Sequence, residues 1–419
     1  MRFAPFGTQY TSEPAETWQR ILAGGHAVSH DPELGLWLIT GHDTVRGVLA
    51  DTTRFSNAAT LAPVMPVSAE AGHVLAAFDA PAVTTTADGP QHARIRAVLR
   101  GIFPTTAARA ELAWGALVAR RADQLAGDIA AAEATDLMPA AIRFSLHVIT
   151  DVLVLPTDQA GDLHAWTDAF ARLVWAHHPE TQVDDAHEAL ALWHLCSDTV
   201  TARAQAGGGY GPGVIGDLLR YRGGDDARLS VPEAAAIVLT IAGAGWETTA
   251  GALGHALEHA LIEPGRWTRL GYDEHALATH VEETLRHSPA IDGWLRVTTT
   301  DVDVDGTLIP AGSRCLLLIG AANHDPAQFA QPRVFNPGRA RLGQHLAFGA
   351  GAHYCIGAAL ARLELSTALR TLARRLPALA LAGGYRRQYK PSVALRQHTT
   401  MPATTGGGPD RHSAPAARP

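Results

Sequence analysis

The ten residues Phe348-Gly-Ala-Gly-Ala-His-Tyr-Cys-Ile-Gly357 decide how this 419-residue chain is interpreted. They form a glycine-rich loop that presents one cysteine, Cys355, directly before a helical stretch. Backbone N–H groups and the positive end of a helix dipole both stabilise a thiolate at such a position. Gly349, Gly351 and Gly357 have no Cβ and allow a flat ligand to approach closely. These features alone leave two interpretations of Cys355 open, a metal ligand or a small apolar core residue.

A metal held by one sulfur must take its other ligands from elsewhere, and haem supplies them from its ring nitrogens. The loop resembles the haem-binding loop of the cytochrome P450 family and matches its form Phe-Gly-x-Gly-x-His-x-Cys-x-Gly at every fixed position. The resemblance implies that Cys355 is the axial ligand of haem b (iron protoporphyrin IX). It also implies that Ala244, Phe348, Gly349 and Gly357 contact this cofactor.

Other elements of the family pattern follow in the expected order along the chain. Glu283 and Arg286 form a Glu-x-x-Arg, and Arg339 lies in Phe335-Asn-Pro-Gly-Arg, which together resemble the structural Glu-Arg-Arg network of the family. Four further residues match positions that contact the haem propionates, and they are His92, Arg96, Arg296 and His353. His92 and Arg96 lie four apart and share a helix face, so both can reach one anionic group.

The stretch Ala244-Gly-Trp-Glu-Thr248 is similar to the distal-helix pattern of the family. On helical geometry Thr240, Gly243, Ala244, Glu247 and Thr248 project within one broad sector. Small residues at 243 and 244 would leave room over the iron. The resemblance implies that Thr248 and Glu247 are the catalytic pair that manages protons during dioxygen activation.

Two residues depart from the family pattern. Trp246 stands where relatives commonly carry a smaller polar residue, and its position two residues from Ala244 predicts that the indole points away from the iron and packs against another helix. His324, in Asn-His-Asp-Pro, stands where relatives usually carry arginine.

Periodicity predicts a mainly α-helical fold with a smaller β region, which agrees with the fold that the resemblance implies. Helices are expected over residues 106–130, 158–175, 184–206 and 231–262, and the segment 57–90 is expected to be a partly buried loop. The last helix has a capping pattern in Ser230-Val-Pro-Glu. We expect one domain over residues 1–402 and a disordered tail over residues 403–419.

Composition excludes several classes of protein. The net charge of −7 and the absence of a long basic run argue against nucleic acid as a partner. The three cysteines lie far apart and predict neither a disulfide framework nor a cysteine zinc site. The sequence has no uninterrupted run of roughly 20 apolar residues, so we expect no membrane span. We expect a monomer in a reducing cytoplasm.

The resemblance implies a monooxygenase that uses dioxygen and two externally supplied electrons. These electrons would come from NAD(P)H through a ferredoxin reductase and a ferredoxin, because the sequence contains no recognisable flavin or ferredoxin segment, and the partner would dock on the face nearest Cys355. Hydroxylation of a small or medium lipophilic compound in secondary-metabolite (antibiotic) biosynthesis is the expected reaction. The pocket is expected to be lined by the 57–88 loop, the aromatic residues of 165–195, and Thr240, Gly243, Ile291, Asp292 and Trp294.

Three alternatives remain open at this point. Epoxidation, oxidative coupling or dealkylation would use the same scaffold, and a haem-thiolate sensor would bind haem without turnover. His255-Ala-Leu-Glu258-His259 also spells a zinc-hydrolase motif, with two imidazoles on one helix face. That motif requires a third ligand and a catalytic cleft.

Overall fold

The computed structural model describes residues 3–156, 160–206 and 209–406. Its architecture is mainly helical with a smaller β region, as expected. The α-helices are α1 (Thr8–Ser12), α2 (Pro14–Ala23), α3 (His42–Ala50), α4 (Ala69–Leu75), α5 (Gly89–Ile102), α6 (Ala107–Ala130), α7 (Leu137–Leu153), α8 (Ala160–Trp175), α9 (Gln182–Gln205), α10 (Gly213–Arg222), α11 (Val231–Ile262), α12 (Arg266–Leu270), α13 (Glu274–His287), α14 (Ile319–Ala322) and α15 (Ala358–Arg375).

Three small sheets accompany the helices in the part of the chain that the structure describes. The strands are β1 (Val28–Asp31), β2 (Leu36–Ile39), β3 (Phe55–Ser56), β4 (Ala134–Asp136), β5 (Gly293–Thr298), β6 (Val302–Val304), β7 (Thr307–Ile309), β8 (Arg314–Leu318), β9 (Ala380–Leu381) and β10 (Pro402–Thr404). The largest sheet has the order β1-β2-β8-β5-β3, with β2 and β8 parallel and the other neighbours antiparallel. β4-β10-β9 form a second sheet and β6-β7 a hairpin. In the first sheet, the pairing of β5 with β8 sets Arg296 opposite Cys315.

Helix α11 is the central element of the fold. Its start is fixed by a capping box, in which the Ser230 hydroxyl accepts from the Glu233 N–H and the Glu233 carboxylate accepts from the Ser230 N–H. Pro232 occupies the first turn, where its missing N–H costs no hydrogen bond. The helix is long and apolar enough to cross a membrane, but 67% of that window is buried inside the protein. It packs against α7, α9 and α15 and therefore belongs to the core.

The C-terminal boundary expected after residue 402 is wrong. β10 extends to Thr404, Ala403 is buried, and the Thr405 N–H donates to the Glu133 carbonyl. A three-residue Pro-Ala-Thr strand is too short to show the alternation by which a strand is recognised in a sequence. Residues 407–419 of the expected tail lie outside the described residues.

The segment 57–90 is an irregular, partly buried loop as expected, but it also contains α4, which was not predicted. Ser68 caps this helix by accepting from the Ala71 N–H. The loop is anchored at several points along its length. The Arg314 guanidinium donates to the Pro63 carbonyl over 2.9 Å, and the Val64 N–H donates to the Val174 carbonyl over 2.8 Å. These bonds hold the loop against β8 and α8.

Candidate active site

The Cys355 loop is a tight connection between the Glu-Arg-Arg region and α15. Gly349 and Gly351 both have φ near +70°, which favours glycine, and a Cβ at Gly351 would lie 2.9 Å from the Ala50 Cα. The Cys355 N–H donates to the Phe348 carbonyl over 2.9 Å and closes the loop. The thiol is thereby presented just before the first turn of α15, as the sequence predicts.

The electrostatic surroundings of Cys355 have opposing effects on its thiol. Burial raises the pKa, while the backbone N–H groups of Gly357 and Ala358 and the cations Arg96 and Arg362 lower it. The net pKa lies above the usual value because burial is the larger effect. The residue nevertheless has an accessible face. The surrounding protein therefore leaves one side of the sulfur open to a ligand.

A buried ion pair stabilises the segment that leads into the Cys355 loop. The Arg286 Nε and Nη2 atoms donate to the two Glu283 carboxylate oxygens over 2.8 and 2.7 Å, and both side chains are fully buried. Arg286 also donates to the Asn323 carbonyl, and the Asn323 side-chain oxygen accepts from the Leu346 N–H over 2.7 Å. Arg339 reaches Glu283 over 3.4 Å. The predicted network thus exists and positions the chain that leads into the Cys355 loop.

The middle of α11 borders an open space. Residues 234–238 and 249–260 of the helix are buried, whereas Ala244 is exposed and Thr240, Gly243 and Thr248 are half-buried. A Cβ added at Gly243 would meet no atom within 4 Å. Accessibility on one face of an otherwise buried helix indicates a cavity there, and α11 packs against α15, which follows Cys355. The predicted sector therefore lies open, except for Glu247.

Glu247 lies in a different environment from the rest of the predicted sector. Its side chain is buried, and burial raises its pKa to about 8, with the charge of Asp168 raising it further and Lys390 and Arg172 opposing this. The carboxyl is therefore held neutral at pH 7. The Thr248 hydroxyl donates to the Ala244 carbonyl over 2.9 Å, which leaves its oxygen able to accept a hydrogen bond.

Trp246 points away from this space, as predicted. Its indole is fully buried, and its N–H donates to the Thr167 hydroxyl of α8 over 2.8 Å. His164 of the same helix packs edge-on against the indole, with ring centroids 5.0 Å apart. His324 is also a core residue, bonded to the Gly320 carbonyl and packed against Trp18.

The four predicted propionate-binding residues lie in the same region. His92 and His353 stack with ring centroids 3.8 Å apart, and both interact electrostatically with Asp88. Asp88 also acts on Arg296, which is almost fully buried, and Arg96 acts on Cys355. Burial lowers the pKa of His353 to about 4 and that of Arg296 to about 10.

Sequence reasoning missed the residues that orient His353. The Asn57 side chain lies 3.0 Å from His353 Nε2, and the Thr84 carbonyl lies 3.1 Å from Nδ1. Asp88 in turn accepts from the backbone and the side chain of Asn57. These residues come from the irregular loop and from the residue preceding α5. No local pattern marks them, because the contacts span almost 300 positions in the sequence.

The donors in this region test whether the residues fit haem. Among the described residues, buried donor atoms without a hydrogen-bond partner include His92 Nε2, Arg96 Nε and Arg296 Nε. Buried donors are costly when they lack an acceptor, so these atoms call for one or more anionic groups. Two carboxylates on a flat ligand would satisfy them, and the accessible stretch of α11 at Gly243 and Ala244 leaves room for such a ligand. The residues present fit haem.

The comparison with known proteins agrees with this geometry. Residues 275–381 match the family model described as Cytochrome P450. The chain is 32% identical over 385 residues to Cytochrome P450 monooxygenase PikC of Streptomyces venezuelae, covering 90% of this chain and 86% of that protein. The chain belongs to the cytochrome P450 family. This cytochrome P450 is accordingly a haem-iron monooxygenase, an oxidoreductase that incorporates oxygen.

Further relatives support the cytochrome P450 assignment. The chain is 30% identical over 352 residues to 6-deoxyerythronolide B hydroxylase of Saccharopolyspora erythraea, covering 82% of this chain and 84% of that protein. Among solved structures, cytochrome P450 CREJ in complex with (4-ethylphenyl) dihydrogen phosphate aligns with a TM-score of 0.89 at 26% identity. That alignment covers 96% of this chain and 99% of the other.

One predicted pocket residue of the cytochrome P450 is wrongly placed. Asp292 is buried, forms an ion pair with Arg396 and accepts from the Tyr10 hydroxyl over 2.6 Å. Its carboxylate is therefore bound to Arg396 and Tyr10 and does not face a ligand. Ile291 and Trp294 are half-buried and belong to the apolar cluster that contains Trp175.

The zinc-hydrolase alternative fails on geometry in this cytochrome P450. The Glu258 carboxylate accepts from Arg387 over 2.9 Å, and His259 Nε2 lies 2.9 Å from the Ser288 hydroxyl. His255 is fully buried in the packed end of α11. No group of three potential metal-binding side chains occurs within the part of the chain that the structure describes. The motif match is a coincidence in a chain that has 21 histidines.

Proposed function

We propose that this cytochrome P450 hydroxylates a small or medium lipophilic compound in a secondary-metabolite pathway. The observation that carries the proposal is the open stretch of α11 at Gly243, Ala244 and Thr248, because it leaves room for a substrate beside the cofactor. The names of the relatives point the same way, since one is a hydroxylase and another a monooxygenase.

Different residues of the chain would hold the iron, the propionates and one face of the cofactor. Cys355 would hold the iron of haem b through its sulfur, and His92, Arg96, Arg296 and His353 would bind the propionates. When bound, haem held by a thiolate would supply the dioxygen-activating chemistry that puts one oxygen atom into the substrate. Phe348, Gly349 and Gly357 form the wall on the cysteine side.

Thr248 and Glu247 manage the protons that this chemistry consumes. Glu247 is neutral at pH 7 because burial raises its pKa, so it can give up a proton at physiological pH. The Thr248 oxygen can accept a hydrogen bond and orient a water molecule or a substrate hydroxyl. A sensor without turnover would have no use for this pair.

The walls available to a substrate are mostly apolar. Phe170, Ile291 and Trp294 are half-buried and pack on the apolar cluster of the first sheet, and the 57–88 loop covers it through Leu61, Val64 and Met65. An apolar wall stabilises a ligand in proportion to the apolar area removed from water. We therefore assign a lipophilic substrate to this side of α11.

Electrons are proposed to arrive at the opposite face. A groove of about 740 Å³ lies on the Cys355 side and is lined by Arg96, Arg100, Arg362 and Arg370, with Glu111 and Glu282 as the acidic lining residues. The excess of cations favours an acidic partner. We assign the groove to a ferredoxin, which is reduced by NAD(P)H through a ferredoxin reductase, and we propose that the enzyme acts as a cytoplasmic monomer.

The decisive experiment is the visible spectrum of the reduced protein under carbon monoxide, followed by product analysis. A thiolate ligand moves the main absorption band to the red of that of a histidine-ligated haem, and Cys355→Ala should abolish this band. Thr248→Ala should keep the spectrum but divert electrons to peroxide. Turnover that yields an epoxide or a coupled product instead of an alcohol would replace hydroxylation by one of the alternatives. Unchanged coupling in Thr248→Ala would remove the role of Thr248.

A further inference from the structure

One arginine side chain binds three consecutive backbone carbonyls in the loop that covers the apolar wall. Arg314 Nη2 donates to the Pro63 carbonyl over 2.9 Å and to the Ala62 carbonyl over 3.3 Å, and Nη1 donates to the Val64 carbonyl over 3.3 Å. Arg314 is the first residue of β8, and β8 lies between β2 and β5 in the largest sheet. A strand that is paired on both sides therefore carries the group that holds residues 62–64.

The guanidinium of Arg314 has no carboxylate partner within the described residues. The side chain is half-buried, and burial lowers its pKa without any acidic group that raises it. A cation removed from water is ordinarily paired with an acid. Here the charged donors go to neutral carbonyls instead, and hydrogen bonds from a charged donor are stronger than neutral ones. The contact therefore fixes the position of the backbone and does not neutralise a charge.

Residues 62–68, the wall segment, are held at their other end by α9. The Gln182 side-chain amide donates to the Pro66 carbonyl over 3.1 Å, and its oxygen accepts from the Ser68 N–H over 2.8 Å. Within the described part of the chain, all hydrogen bonds between the wall segment and the largest sheet come from Arg314. Removing the guanidinium would therefore release the sheet side of the segment and leave the side that faces α9 attached.

The wall segment contributes two side chains to the apolar wall. Val64 is buried and Met65 is half-buried, and both belong to the cluster that contains Trp175 and Trp294. A backbone that is held by its carbonyls also holds the Cα–Cβ bonds of the same residues. The bonds from Arg314 therefore determine where these apolar side chains lie.

We propose that Arg314 is a positioning residue for the substrate, because its bonds to three carbonyls of the wall segment keep the apolar wall ordered before a lipophilic ligand binds. This inference rests on the proposed function, which assigns the wall to the substrate. An ordered wall loses no conformational entropy on binding, so a ligand that packs against it binds more tightly. A ligand that reaches only the iron gains nothing from Arg314.

Two haem ligands of different size separate this role from a purely structural one. Imidazole binds the iron and is too small to pack against the wall, whereas clotrimazole is an imidazole that carries three aryl rings. Arg314→Met removes the guanidinium and keeps an unbranched apolar side chain. Spectral titration of the haem-loaded variant should show about a tenfold loss of clotrimazole affinity, while the imidazole affinity stays within about twofold of wild type.

Amide hydrogen exchange measures the order of the wall segment directly. In Arg314→Met, peptides that cover residues 61–68 should exchange faster, because local opening of the segment no longer breaks the bonds to the guanidinium. Clotrimazole should restore part of this protection in the variant, because the ligand then orders the wall when it binds. Peptides from α15 should exchange as they do in wild type.

The control variant is Arg203→Met. Arg203 also donates to backbone carbonyls, those of Val154 and Pro212, and it does not contact the wall segment. This variant should keep the wild-type ratio of clotrimazole to imidazole affinity and the wild-type exchange of residues 61–68.

An unchanged affinity ratio in Arg314→Met overturns the inference, even where exchange of the wall segment becomes faster. The same change of ratio in Arg203→Met also overturns it, because the effect would then follow from a general loss of stability. A normal carbon monoxide spectrum in Arg314→Met assigns such a failure to Arg314. A wild-type protein without that spectrum would instead contradict the proposed function.

Discussion

His92 and His353 stack face to face, with ring centroids 3.8 Å apart and planes inclined by 26°. One residue comes from α5 and the other from the Cys355 loop, so the contact joins two parts of the chain that approach the same ligand. His353 is held on both ring nitrogens by Asn57 and Thr84, whereas His92 Nε2 has no partner among the described residues. The stacking of the two rings and the unpaired Nε2 donor of His92 can therefore be tested separately.

Replacing His92 by phenylalanine should keep the stack and remove the donor. Because a hydrogen bond to a charged group is worth about 1.5–3 kcal/mol, we expect haem affinity to fall by about tenfold or more. Haem titration of the apoprotein, followed by absorbance, measures this. The exposed His73→Phe is the matched control and should bind haem normally. Equal affinities in the two variants would show that His92 does not contact the cofactor.

Glu283→Gln should destabilise the protein strongly. The substitution leaves Arg286 fully buried without its charged partner, and breaking such a pair costs about 3–5 kcal/mol. Urea unfolding of the purified variants gives the difference. Asp128→Asn removes a pair with Arg143 in which both side chains are about half exposed, and should cost less than about 1 kcal/mol. Similar losses in the free energy of unfolding at the two sites would contradict the importance assigned to the buried Glu283–Arg286 pair.

Gly245→Ala and Gly243→Ala should have different effects although they lie two residues apart. A Cβ at Gly245 would lie 2.5 Å from Ile149 Cγ1, so we expect a loss of about 1–3 kcal/mol in the free energy of unfolding. Combining it with Ile149→Ala should cost less than the sum of the single changes. Gly243→Ala meets no atom and should leave stability intact while weakening substrate binding, measured by spectral titration. A stability loss at Gly243 would argue against a cavity there.

The protein should lose stability as the pH falls from 6.5 to between 4 and 3. Burial lowers the pKa of His280 to about 4 and that of His287 to about 3, so both are neutral in the folded state. Below pH 6.5 the unfolded chain binds protons that the folded chain does not, and stability therefore decreases until the folded pKa values are reached. His280→Gln keeps a donor to the Ala256 carbonyl and should flatten this dependence.

Urea midpoints measured across that pH window test the histidine prediction. The exposed His73→Gln serves as the control and should retain the full pH dependence. A variant lacking the His280 imidazole that shows the same slope as wild type would assign the acid sensitivity to other groups.

The sequence predicted those features that depend on local pattern. The Cys355 loop, the helix limits of α6 and α11, the outward turn of Trp246 and the Glu283–Arg286 pair all follow from spacing or from the family motif. The helix predicted over residues 158–175 ends at Trp175 as expected, and its predicted start at residue 158 lies outside the described residues. Pairings over long sequence separations were not predictable in this way. Asp292 was assigned to the pocket because its position is close to Trp294, yet its pairing with Arg396 is set by how the C-terminal segment folds back.

The same limit applies to Glu247. Helical geometry placed it with Thr248, but the charges that control it come from α8 and from the segment between β9 and β10. The contact of Asn57 with His353 is equally distant in sequence. In each case the residue type indicated a polar or ionisable function, whereas the partner of that residue depends on how helices, strands and loops pack together.

The second sheet imposes an order on how the chain can fold. Asp136 caps the start of α7 by accepting from the Met138 N–H, and the same oxygen accepts from the Met401 N–H, 265 residues later. The Met401 carbonyl accepts from the Leu137 N–H in return. Since a chain is synthesised from its N-terminus, α7 emerges long before the residues that fix its first turn. This contact has a long sequence separation and can form only after residue 401 has been synthesised, and shortening the chain before residue 401 would leave α7 without this anchor.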